Sequence, residues 1–296
     1  MPDSILPGTL VSSEWLAERL THPGLQIVDI RGYVKTEDIG EGRQHAEYLG
    51  ARDEYDREHI PGSVFVDWTT DIVDPDHEVK AQLAPADRFA EAMSQRGIGD
   101  ETDVVVVDHT GGHFATRLWW ALKYYGHDRV AVLDGGFNRW KALGLPLTDA
   151  VPESPRREFT PLERPSLRVE AEELLTRIGE RSALVVDARD PAQYTGAIKR
   201  GARGGHVPTA VNISAKSLVH DDGTWKSDDE LREILEDGGV RGDVPVVAYC
   251  NGGVTATGIL FALDRIDHGS WANYDGSWNE WGERLELPVV TGGEPA

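Results

Sequence analysis

The chain has 296 residues and sets 30 Lys+Arg against 51 Asp+Glu, a formal net charge of −21. An acidic surface with only seven lysines repels phosphate backbones and anionic lipid, which excludes a nucleic-acid footprint. The single cysteine, Cys250, excludes an intramolecular disulfide and fits a reducing cytoplasm. No stretch approaches the roughly 18 consecutive apolar residues of a membrane span. The opening MPDSILPGTLVSSEWL shows no basic-then-apolar leader pattern, so a cytoplasmic protein away from membranes is expected.

At roughly 100 to 200 residues per domain, the length predicts two domains. In the first half, residues 25–30, 103–107 and 130–133 read as strands, and residues 86–96 as a helix with Phe89 and Met93 four apart, stopped by Gly97. In the second half, residues 183–187, 244–249 and 271–274 read as strands. Ser227-Asp-Asp-Glu230 is a capping-box pattern for a helix that turns Leu231, Ile234 and Leu235 inward and ends at Gly238-Gly239. Residues 254–263 form an apolar helix. The strand runs show little polar alternation, as expected of parallel strands covered on both faces. The fold class is therefore α/β, each half a mostly parallel sheet flanked by helices.

The two halves are copies. Val105-Val-Val-Asp-His-Thr-Gly-Gly-His-Phe-Ala-Thr116 lies over Val246-Val-Ala-Tyr-Cys-Asn-Gly-Gly-Val-Thr-Ala-Thr257 without a gap, at an offset of 141. The same offset carries residues 133–140 onto 274–281, while Asp29/Arg31 and His59 parallel Asp187/Arg189 and His206 at altered spacing. Residues 149–166 hold four prolines and no apolar period, which reads as a linker over the surface. The domains are placed at 1–148 and 167–296.

The most informative segment ends a buried strand at Tyr249, sets Cys250 at its carboxyl end, and enters an apolar helix through Gly252-Gly253. Ligands of open α/β sheets bind at that edge. The two glycines let successive N–H groups turn toward one point, and the helix adds the positive end of its dipole, so a thiolate or bound anion is stabilised there. A lone cysteine is more often a small buried hydrophobe, but its place between strand end and Gly-Gly helix start reverses that preference. The first copy keeps Gly111-Gly112 and has His109 where Cys250 stands. Asp108, His109 and His113 suggest a metal, yet they lack a further ligand and the duplication already accounts for them, so no metal is expected.

These residues together resemble the tandem-domain rhodaneses over nearly the whole chain. The supporting motifs are the two Asp-x-Arg pairs, the His-Ile/Val-Pro segments at His59 and His206, and the Asp-Gly-x-aromatic segments ending at Trp140 and Trp281. The resemblance implies two rhodanese-like domains, a non-catalytic first and a catalytic second. It also implies an active-site loop of six residues, Cys250, Asn251, Gly252, Gly253, Val254 and Thr255. Related phosphatases use a loop one residue longer closed by Arg; here that residue is Ala256, which disfavours phosphoryl chemistry. The implied function is a sulfurtransferase without metal or organic cofactor. A Cys250 persulfide would carry sulfur from a small anionic donor to cyanide or a thiol, a protein sulfur acceptor included.

Thiosulfate is the first donor expected and 3-mercaptopyruvate the alternative. The loop has neither the basic residues after cysteine of the first type nor the hydroxyl residue of the second. Arg189 is the residue expected to hold the donor's anionic end; a structural Asp-x-Arg tie is the competing reading, since Arg31 stands at the same place in the copy without cysteine. Lys199, Arg200 and Arg203 read as a solvated basic loop, with a source of positive potential for the anionic donor as the alternative. A non-catalytic binding or sulfur-relay module is the remaining alternative for the whole chain.

Overall fold

Val-rich runs bounded by turn residues settle the architecture, because strands apolar on both faces must be covered by helices on both sides. The computed structural model describes residues 4–293. In the first half, β1 (Leu10–Val11) leads to α1 (Ser13–Ala17) and β2 (Leu25–Asp29). The chain then forms an antiparallel hairpin of β3 (Gly32–Asp38) and β4 (Gln44–Gly50). Next come α2 (Arg52–Arg57), β5 (Ser63–Phe65), α3 (Ala86–Gln95), β6 (Asp103–Val107), α4 (Ala115–Tyr124), β7 (Val130–Leu133) and α5 (Gly136–Ala142). The second half repeats the plan with β8 (Arg168–Val169), α6 (Ala171–Glu180), β9 (Leu184–Asp187), α7 (Pro191–Tyr194) and β10 (Val211–Asn212). It closes with α8 (Asp228–Asp237), β11 (Val246–Tyr249), α9 (Ala256–Arg265), β12 (Trp271–Tyr274) and α10 (Ser277–Trp281).

Two five-stranded sheets result, ordered β1-β7-β6-β2-β5 and β10-β9-β11-β12-β8, and every pairing within them is parallel. Strand for strand the orders are the same, so the duplication read from sequence is a duplication of topology. The capping box at Ser227 forms in both directions, Ser227 taking the Glu230 N–H and Glu230 taking the Ser227 N–H. Residues 149–164 carry no helix or strand, yet they are tied down: the Phe159 ring is buried and Arg164 pairs with Asp128.

Three features escape a reading by periodicity. The edge strands β1 and β8 are two residues each, too short to show a pattern. The hairpin is polar, and its tip pairs across to the other half, the Gln44 N–H donating to the Lys199 carbonyl (2.8 Å) and the Lys199 N–H to Gly42 (2.7 Å). At its base a Cβ on Gly32 would lie 2.1 Å from Trp68 Nε1, so glycine is required for Trp68 to reach the Leu49 carbonyl.

The halves meet along α4 and α9. Nine of ten residues of α4 and eight of ten of α9 are buried, and Trp119 packs edge-on to Phe261 at 5.1 Å and against Trp271 at 5.5 Å. Burying one such side chain stabilises by roughly 1.5–3 kcal/mol. One hydrophobic cluster runs through both halves, from Val28 and Val106 to Val186 and Val246. At the centre of the contact Thr116 Oγ1 and Thr257 Oγ1 share a hydrogen bond of 2.9 Å, and Lys123 pairs with Asp264 at 3.1 Å.

Candidate active site

Central strand β11 lies between β9 and β12, all three parallel. Cys250 follows at its carboxyl end, where such a sheet leaves a crevice. The residue is only 2% exposed but lines a cleft of about 410 Å³ between the two halves, together with Asn251, Gly252, Val254 and Thr255. Gly253 does not line it.

The start of α10 clamps the beginning of the loop. The Cys250 N–H donates to Ser277 Oγ (3.1 Å), and the carbonyls of Cys250 and Asn251 accept from the N–H groups of Trp278 (3.0 Å) and Asn279 (2.7 Å). Ser277 is fully buried with φ +51, a left-handed conformation that costs a non-glycine residue energy. Its hydroxyl repays this by donating to the Tyr274 carbonyl (2.8 Å) while accepting from Cys250. The place of the 274–281 segment beside the cysteine has no local sequence signal.

The two glycines act differently. Gly253 is left-handed (φ +68), as expected of a turning residue. Gly252 is not; it is needed for space, since a Cβ there would lie 2.9 Å from Asn279 Nδ2 and 3.2 Å from Ala81 Cβ.

None of the N–H groups of residues 251 to 255 meets an acceptor among the described residues. The first copy displays what such groups do. There the carboxylate of Asp108 enters its own loop: Oδ1 accepts from the N–H groups of Thr110 (3.0 Å) and Gly112 (3.0 Å), and Oδ2 from Phe114 (2.8 Å) and Ala115 (3.0 Å). At the offset of 141 these donors correspond to the N–H groups of Asn251, Gly253, Thr255 and Ala256. In the second copy the place of Asp108 belongs to Tyr249, whose hydroxyl turns away to Asp187 (2.6 Å). The first loop is thus closed around an internal anion, and the second offers equivalent donors beside a thiol. His109, at the cysteine's position, packs on Tyr33 at 4.8 Å, and burial lowers its pKa toward the neutral ring. No group of three or more metal-ligating side chains is assembled among the described residues.

Replacing Asp108 by Ala should destabilise the protein by about 3 kcal/mol or more, because four N–H groups lose a charged acceptor and each such bond contributes roughly 1.5–3 kcal/mol. Denaturant unfolding measures it, and a loss below about 1 kcal/mol would show that water replaces the carboxylate at little cost.

Arg189 is buried against Asp187, with Nε (2.9 Å) and Nη2 (2.6 Å) on the carboxylate and Nη2 also on the Gly205 carbonyl (2.7 Å). Trp278 lies under the guanidinium at 4.3 Å. Burial works against its charge, but Asp187 outweighs it and holds the pKa above the ordinary arginine value. Arg31 repeats the arrangement with Asp29 and the Glu58 carbonyl in the copy without cysteine. The fork expected to grip a donor is therefore mostly engaged in tying strand end to loop, although Arg189 still borders the cleft.

Arg200 corrects the solvated-loop reading. It lines the cleft with Cys250, its Nε is buried without a hydrogen-bond partner, and it forms no salt bridge among the described residues. Burial depresses its pKa, with Tyr48 and Cys250 pulling the other way. Lys216, a further cation in the cleft, is paired with Asp190 at 3.0 Å. Tyr48 reaches in from β4, its hydroxyl accepting from Asn279 Nδ2 (3.2 Å), and Trp68 lines the same wall. The only sequence signal for this wall was a spacing: Arg31 and His59 are 28 positions apart, against 17 for Arg189 and His206. Both histidines are structural, stacked on Tyr55 (4.0 Å) and Tyr194 (3.7 Å).

A family model described as "Rhodanese-like domain" matches residues 12–143 and 170–284. The chain is 34% identical to a 3-mercaptopyruvate sulfurtransferase of Escherichia coli over 94% of its length and 96% of the relative. It is 31% identical to a putative thiosulfate sulfurtransferase of Mycobacterium bovis, covering 96% of this chain and 98% of the relative. Among solved structures, the 3-mercaptopyruvate sulfotransferase SseA from Escherichia coli superposes with a TM-score of 0.80 at 32% identity, covering 91% of this chain and 98% of that one.

Proposed function

The chain belongs to the rhodanese-like family of sulfurtransferases, built from two rhodanese-like domains, and from that premise we propose that Cys250 carries sulfane sulfur from thiosulfate to cyanide or a thiol. The observation that supports the reading is the loop of unengaged N–H groups around Cys250, beside a first loop of equivalent donors filled by Asp108.

In the first step the Cys250 thiolate attacks the outer sulfur of thiosulfate. A Cys–S–S⁻ bond forms, the S–SO₃ bond breaks, and its electron pair leaves with sulfite. The persulfide carries the single negative charge that the thiolate brought, and the N–H groups of residues 251 to 255 offer it donors in place of water. Cyanide or a thiolate then attacks the terminal sulfur and returns Cys250 as thiolate. The step needs no metal or organic cofactor from the protein.

Arg200 is the residue we assign to the donor's anionic end, with Arg189 contributing from the cleft wall. With Lys216 offset by Asp190 and Arg189 by Asp187, Arg200 is the one uncompensated cation of the cleft among the described residues. That count favours a second donor, 3-mercaptopyruvate, which presents one carboxylate where thiosulfate is a dianion. In that case the pyruvate enolate leaves and takes up the thiol proton at carbon.

Replacing Arg200 by Ala should raise KM for the donor about tenfold with a smaller change in kcat, the size of one charged hydrogen bond. Arg200→Lys should recover part of it. Steady-state kinetics on both donors, with cyanide and a dithiol as acceptors, test the assignment together with the function. Failure of every donor would return the chain to the binding-module reading, and an unchanged KM in Arg200→Ala would remove Arg200 from the site. No helix among the described residues is long and apolar enough to cross a membrane, and the reading admits both small and protein-borne thiol acceptors.

A further inference from the structure

Arg117 belongs to α4 in the half without the cysteine, yet its side chain ends in the loop of the other half. It is 1% exposed. Nη1 donates to the Gly253 carbonyl (3.0 Å) and pairs with Asp275, and Nη2 donates to the Ala81 carbonyl (2.9 Å). Asn273 Nδ2 donates to the same Gly253 carbonyl (3.0 Å). Asp275, fully buried, also accepts the Leu83 N–H (2.9 Å), and its own carbonyl accepts from Gln82 (3.0 Å). Ala81 is held at φ +67, a strained conformation for alanine, by the segment that this guanidinium pins.

One pair of contacts between the halves is reciprocal. Leu83 of the first half donates to Asp275 of the second, and Trp225 of the second donates to Asp134 (2.8 Å), the counterpart of Asp275 in the first. Arg117 has no such partner contact in the second half: its counterpart is Gly258. This added cation reaches the cysteine loop, and the corresponding site beside Gly112 is filled by the Trp225 ring.

We propose that Arg117 is a positioning residue for the Cys250 loop, so that the first domain aims the donors used by the second. In a trans peptide the carbonyl and the following N–H point in opposite directions. Two donors hold the Gly253 carbonyl on the interdomain side, so the Val254 N–H is turned to the opposite side, and Val254 lines the cleft with Cys250. Arg117 touches neither donor nor reacting sulfur; its charge is matched by Asp275. This inference rests on the sulfur-transfer reading for its kinetic arm, but its structural arm does not.

Arg117→Lys retains a cation for Asp275 but cannot hold Asp275, Gly253 and Ala81 together, since an ammonium lacks the planar fork. Three measurements are made on the full chain: melting temperature, the rate of Cys250 alkylation by iodoacetamide at fixed pH well below the melting temperature, and steady-state kcat and KM. The expected result is a fall of about tenfold in kcat with KM unchanged, as misaimed transition-state donors give, together with a changed alkylation rate. A purely structural role predicts a lower melting temperature with kcat and alkylation unaltered in the folded protein, and that outcome overturns the proposal. Should Arg117→Lys not fold, the double variant Arg117→Met with Asp275→Asn removes both buried charges and is read in the same way. If wild type transfers no sulfur from any donor while alkylation still responds to Arg117→Lys, the functional reading fails and the positioning role stands.

Discussion

Cys250→Ala will reduce sulfur transfer to background, a loss of at least about a thousandfold, while leaving the protein folded. The reaction as proposed forms a covalent bond to Sγ and has no second route, because Cys250 is the chain's only cysteine. The side chain is small and 2% exposed, so its removal leaves a cavity of about one sulfur atom and costs on the order of 1 kcal/mol. Intact-mass measurement after thiosulfate treatment should show one added sulfur atom on the wild type and none on Cys250→Ala. Cyanide should remove the added mass and yield thiocyanate in equal amount. A sulfur gain on the alanine variant, or a wild type that never gains it from any donor, would end the persulfide assignment.

Gly253→Ala is the second large effect and arises from geometry alone. At φ +68 any residue with a Cβ is strained by roughly 1–2 kcal/mol. The new Cβ would also lie 2.7 Å from Asp275 Oδ1 and 2.8 Å from the Asp275 carbonyl oxygen. Neither can yield easily, since Asp275 is fully buried and held by Arg117 and Leu83. The loop must move instead, and a displacement near 1 Å at reacting groups costs about a hundredfold in rate. Gly252→Ala should be milder, because it meets the Asn279 amide and the Ala81 methyl and requires no left-handed backbone. Comparing kcat for the pair, with melting temperatures for each, checks the ranking. Equal effects would mean that Gly253 is not the rigid corner of the loop.

What could be read from the chain follows from which forces are local. The central strands were legible because Val104 to Val107 and Val246 to Ala248 are apolar on both faces, a property of the sequence itself. The cysteine loop was legible because strand end, cysteine, glycines and helix start are contiguous, and because a second copy with His109 marked the difference. The wall opposite Cys250 was not, since Tyr48 and Trp68 reach it only after a polar hairpin folds over the other half. Arg200 sits in a basic run that looks solvated until the fold places it beside Tyr48 on the cleft wall. Arg189 was the reverse case: an arginine near a ligand edge suggests binding, and only the positions of Asp187 and Gly205 reveal how much of its fork is already engaged.

The contact between α4 and α9 has a consequence for the history of the molecule. Thr116 meets Thr257, its own counterpart, and Lys123 meets Asp264, the residue at its own equivalent position. Equivalent residues touch one another only across an isologous interface, the kind formed by a homodimer about its twofold axis. Such a surface is self-complementary before any gene fusion joins its halves. Residues 149–164 join the halves in one chain, so their association does not depend on concentration, and a substitution in one half is not copied into the other. Arg117 opposite Gly258, Asp108 opposite Tyr249 and His109 opposite Cys250 are differences that a symmetric dimer could not hold. Within one chain the two halves are free to differ, and the half without the cysteine frames the loop of the half that has it.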